Sequence, residues 1–156
     1  MNTMISATHL HAMVVHFPIA LLFVGFLFDL IGAFNGSSFF RQAGLSLLVL
    51  GAAGAVAAYF SGEAAGEGME EGSLGRAVAL HEQAALITAV GSVLVALLRG
   101  GLMVLKRYEG WPRLLSLFLF TLLIASVART GYLGGQLVYR HAAGVELSLP
   151  AISDTE

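Results

Sequence analysis

Thr8-His9-Leu10-His11-Ala12-Met13-Val14-Val15-His16-Phe17-Pro18-Ile19-Ala20-Leu21-Leu22 places three histidines at the mouth of an apolar run that continues to Phe34. An apolar helix needs no imidazole to cross a bilayer. Ionisable groups at such a place mark a site that binds something or moves protons. The composition agrees with a membrane setting, since 57% of the 156 residues are hydrophobic and 12% charged. An ordinary soluble domain carries roughly a quarter of charged residues.

Three further runs follow the first, Met13 to Phe34: Phe40 to Phe60, His81 to Leu105, and Pro112 to about Leu137. Each approaches or exceeds the roughly 20 residues that span hydrocarbon as a helix. The separators are turn-like: Asn35-Gly36-Ser37-Ser38, a Gly- and Glu-rich stretch from Gly62 to Gly75, and Lys106 to Pro112. Short connections make neighbouring helices antiparallel, so the expected fold is all-α, an integral-membrane four-helix up-down bundle. It forms one domain over residues 1–145, with a short acidic tail from Glu146 to Glu156. The N-terminus has no cation before its apolar run, and that run outlasts a signal-peptide core, so it is expected to be retained.

The few cations are spread over helix ends and the net charge is -2, which argues against nucleic acid. Arg41, Lys106, Arg107 and Arg113 fall on one side with Arg99 just inside, against Arg76, Arg140 and the deeper Arg129 on the other. The positive-inside rule makes the first side cytoplasmic. Both termini are then periplasmic or exterior. Cysteine is absent, so thiolate metal sites, disulfides and covalent c-type haem are excluded.

All five histidines land on the outer side: His9, His11 and His16 at the first helix, His81 at the third and His141 after the fourth. Neutral imidazole is the commonest metal ligand and an axial ligand of haem. The candidate site is His11, His16, His81 and His141, with Glu63, Glu67 and Glu82 near the same surface. His16 with His81 is the expected ligand pair, and His9 the bystander. Small residues line the same outer half, in Gly51-Ala52-Ala53-Gly54 through Gly62 and in Gly131, Gly134 and Gly135, making a wedge that suits a flat macrocycle or simple helix packing. Arg129 lies well inside the outer hydrocarbon region and needs an anion: Glu63, Glu67, a haem propionate or a lipid phosphate. Away from this site, Asp29 and Arg99 sit six and seven residues from the inner boundary at Asn35 and Lys106. At 1.5 Å per residue they share a depth of about 10 Å and are expected to pair.

These residues resemble one family, the bacterial DUF2231 membrane proteins. Its opening motif is similar to LHPMxVHFPIxLL, matched by Leu10 to Leu22, and its closing motif to TGYLGGxLVYRHGVGV, matched by Thr130 to Val145. His81-Glu82 and Ser61-Gly62 stand where the family carries a His opening helix 3 and a Ser-Gly ending helix 2. Ala12 replaces an expected proline, Gln136 a frequent Glu, and Ala142-Ala143 a Gly-Val, which leaves any carboxylate role at position 136 open. The resemblance implies a domain without established activity. Similar domains are fused to, or encoded beside, periplasmic c-type cytochromes, which implies redox work by association.

The functional expectation is an outer-face protein that binds haem b and passes electrons between quinone or membrane partners and periplasmic carriers. Arg129 and Arg140 would pair with propionates, and Gly134 and Gly135 would admit the ring. The alternatives are a non-haem site for zinc, copper or iron built from the histidines with Glu63 or Glu67, and a structural subunit without cofactor.

Overall fold

The computed structural model describes residues 5–69 and 71–145; the acidic tail from Glu146 lies outside the described residues. The chain is helical throughout: α1 (Ala7–Val14), α2 (His16–Asn35), α3 (Ser38–Gly66), α4 (Gly72–Val104) and α5 (Gly110–His141). Ser6 caps α1 by accepting the His9 backbone N–H at 3.3 Å. The break at Val15 has its cause three residues on. Pro18 has no N–H to give the carbonyl of Val14, so the hydrogen-bond ladder is interrupted there while Val15 itself keeps helical dihedrals, φ -62° and ψ -25°. Gly36 ends α2 in the left-handed region at φ 68°.

Counting α1 and α2 as one span, four stretches of 29 to 33 residues are long and apolar enough to cross a membrane. At 1.5 Å per residue these exceed a hydrocarbon core of about 30 Å, so their ends reach the headgroup layers. The helices run longer than the apolar runs suggest. α3 continues through Glu63-Ala64-Ala65-Gly66, where Glu and Ala favour helix, and α5 runs on to His141.

The helices pack in chain order, α2 on α3, α3 on α4 and α4 on α5, with a lighter α2–α5 seam closing the ring. α1 folds over α3. The seam carries Phe26 against Phe120, edge to face at 5.3 Å. Leu22, Leu48, Ala52, Val95, Ala96, Phe120, Leu123 and Val127 form the buried core. Phe17, Phe34, Phe60, Leu97 and Phe118 face outward, while Asp29, Thr88, Ser92, Arg99 and Ser116 are buried. Polar groups inside and phenylalanines outside are the arrangement hydrocarbon demands. The small face of α3 packs against α2: a Cβ on Gly51 would fall 2.8 Å from Leu22, so part of the expected wedge is filled by a neighbouring helix. Thr88 bonds Ser126 at 2.7 Å and Thr130 at 2.9 Å, joining α4 to α5.

At the end remote from the histidines, Arg99 Nη2 meets Asp29 Oδ1 at 2.7 Å, both side chains fully buried. Nη2 also donates to the Arg41 carbonyl at 2.8 Å, and the Tyr108 hydroxyl donates to Asp29 at 3.1 Å. The Tyr108 ring lies 5.2 Å from the guanidinium carbon, a cation–π contact. Arg99 Nε and Nη1 have no hydrogen-bond partner among the described residues. The expected pair therefore forms, although not between adjacent helices. α2 and α4 are diagonal in the bundle, and the long Arg99 side chain crosses its middle.

Candidate functional site

The other end brings His11 of α1 and His81 of α4 together. Their ring centres are 6.5 Å apart and the planes stand at 80°. Both are half-buried. Each ring is tied to a different helix. His11 Nδ1 lies 2.9 Å from Ser61 Oγ of α3, and Ser61 donates its own hydrogen to the Ala58 carbonyl at 2.9 Å. His81 Nδ1 lies 3.1 Å from the Thr130 carbonyl of α5.

Each ring also lies against a glycine on the helix that holds it. A Cβ on Gly62 would sit 3.0 Å from His11 Cε1, and a Cβ on Gly134 would sit 3.0 Å from His81 Cε1. Any side chain there would push the ring away. Gly62 and Gly134 thus seat imidazoles, while Gly135 has open space around it.

The remaining candidates are placed differently. His16 is exposed and its Nδ1 bonds the Ala12 carbonyl of the preceding turn at 2.6 Å. His9 is exposed, and His141 is half-buried in the last turn of α5. Glu63 and Glu67 are exposed, with Glu63 accepting from Tyr59 at 2.9 Å. The Glu82 carboxylate lies over Gly66, 3.0 Å from where its Cβ would be. Arg129 and Arg140 are exposed on the bundle surface, so Arg129 is free to extend to the headgroups. Among the described residues no group of three or more His, Asp or Glu side chains is arranged to hold a metal ion.

α1 packs on α3 as α2 does, which lays His11 against Ser61-Gly62, while His16 begins α2 and stays exposed. Ser61 and the Thr130 carbonyl are the hydrogen-bond partners of the two rings that the sequence did not single out for them. The signal was present, since Ser61-Gly62 and Thr130-Gly131-Tyr132-Leu133-Gly134 each set a hydrogen-bonding residue near a glycine.

Four long apolar helices with polar groups turned inward define a multi-pass membrane protein of the four-helix class. Within that class the chain belongs to the DUF2231 family, described as "Predicted membrane protein (DUF2231)", whose model matches residues 7–147. The match covers α1 to α5 and therefore both ring-bearing helices. No curated protein and no solved structure matches the chain.

Proposed function

We propose that the histidine end holds one redox-active metal centre between His11 and His81, in the first instance haem b, and that the protein passes electrons between the membrane and carriers outside it. The observation that carries this reading is the separation of the two rings, 6.5 Å between centres. With metal–nitrogen bonds of about 2.0–2.1 Å, rings at this separation are near enough for both to reach one metal ion. Haem suits a site with two protein ligands, because the macrocycle supplies the other four donors. Bound there, haem iron supplies a one-electron couple. His11 and His81 would hold it, and the helix ends, reaching the headgroup layer, would put it within reach of quinone or of a periplasmic cytochrome.

A second reading is a bare copper or iron ion, which imidazole ligands suit and which two rings 6.5 Å apart could share. Zinc fits less well, since a structural zinc site takes four protein ligands and no third acidic or imidazole group joins the pair among the described residues. The test is to purify the protein from cells supplied with haem precursor and to measure haem and transition metals per chain. About one haem per chain supports the first reading, and about one copper or iron in colourless protein the second. Folded protein with neither overturns both.

A further inference from the structure

From the contacts around the two rings we infer that Ser61 and the Thr130 carbonyl hold His11 and His81 as Nδ1–H tautomers, which makes Nε2 of each ring the metal-donor atom. The assignment of donor atoms rests on the metal-binding reading above; the tautomers themselves do not.

A backbone carbonyl only accepts, so the 3.1 Å contact between Thr130 O and His81 Nδ1 requires a hydrogen on that nitrogen. Ser61 Oγ also lies 2.9 Å from the Ala58 carbonyl, an atom that only accepts, and we place its one hydroxyl hydrogen there. Its oxygen can then act toward His11 only as an acceptor, so the 2.9 Å contact requires a hydrogen on His11 Nδ1 as well. In each neutral ring the lone pair is left on Nε2. Two rings from different helices, each with Nδ1 donating to a protein oxygen, reproduce the outer-shell pattern that fixes tautomer and orientation in metal-ligating histidines.

His16 has a similar Nδ1 contact, yet it is made to the Ala12 carbonyl of its own helical stretch and leaves the ring exposed. What sets His11 and His81 apart is that their acceptors lie on neighbouring helices, so each ring is oriented by the bundle. Ser61 is accordingly a positioning residue for His11, acting through the ring. The Thr130 side chain has no such role, because the acceptor there is backbone.

Nitrogen-15 NMR of the cofactor-free protein in detergent at about pH 8, above the ordinary histidine range, reads the tautomers. The expected result is Nδ1–H at His11 and His81 in the wild type, loss of that preference at His11 alone in Ser61→Ala, and its return in Ser61→Thr. A hemin titration of the same variants reads the consequence: about 10–100-fold weaker binding in Ser61→Ala and near-wild-type binding in Ser61→Thr. An Nε2–H tautomer at His11 in the wild type, or a Ser61→Ala protein with unchanged tautomer, would overturn the inference. Tautomers as expected in a protein that binds neither haem nor metal would remove the proposed function and leave the tautomer assignment standing. Hemin bound equally by wild type and Ser61→Ala would overturn the positioning role while leaving the haem reading intact.

Discussion

Asp29 of α2 and Arg99 of α4 meet at 2.7 Å across the diagonal of the bundle, with both side chains withdrawn from the surface. No backbone contact between these two helices accompanies the pair, so the pair itself links opposite corners. Removing one partner of a buried pair leaves an uncompensated charge and costs about 3–5 kcal/mol. Asp29→Asn should therefore lower the thermal midpoint in detergent, and Asp29→Asn with Arg99→Gln should recover part of the loss. Strictly additive single and double changes would show that the two charges do not interact.

Tyr108 closes this cluster from the α4–α5 connection. Burial pushes its hydroxyl up to about 12 from an ordinary value of 10.0, with Arg99 pulling the other way and Asp29 adding to the rise. Because folding raises this value, the associated stability is complete below about pH 10 and is lost as pH rises toward 12. The tyrosinate difference spectrum between wild type and Tyr108→Phe should show a step near 12, not near 10. At neutral pH Tyr108→Phe should cost about 1.5–3 kcal/mol, the range for a hydrogen bond to a charged group.

At the histidine end the glycines make a sharper comparison. Gly62→Ala and Gly134→Ala each place a methyl 3.0 Å from an imidazole carbon, whereas Gly135→Ala meets nothing within 4 Å. The first two should reduce hemin or copper binding by tenfold or more, since outer-shell displacement costs about 10–100-fold. Gly135→Ala should bind as wild type does. Equal binding by all three, measured by titration on folded protein, would mean that ring position is irrelevant.

The bundle and its ion pair were legible in the sequence, whereas the identity of the meeting histidines was not. Length and hydropathy are enough to recognise four spans, and shared depth pointed to Asp29 with Arg99, although the pair was expected between neighbouring helices and forms across the diagonal instead. Rotation about the helix axis is another matter. In a membrane bundle the lipid face and the inner face are both apolar, so periodicity does not say which side of a helix turns inward. His16 looked better placed than His11 because it lies closest to the opening of the first apolar run, whereas the helix continues outward as α1 and packs on α3 beside Ser61-Gly62. Gly62 read as a loop start, yet it lies in the last turns of α3.

The orientation of the bundle rests on charge alone. A reporter active only in the cytoplasm should work when inserted between Lys106 and Pro112 and fail when fused after Glu156. The reverse pattern would put the histidine end in the cytoplasm and exclude periplasmic cytochromes as partners.

The most direct test of the central claim is the reduced-minus-oxidised visible spectrum of the purified protein and its single histidine variants. The account predicts a reducible Soret band in the wild type, kept in His9→Ala and His16→Ala and abolished in His11→Ala and His81→Ala, the two rings 6.5 Å apart. A folded wild type with no such band, or a band that survives His81→Ala unchanged, would contradict it.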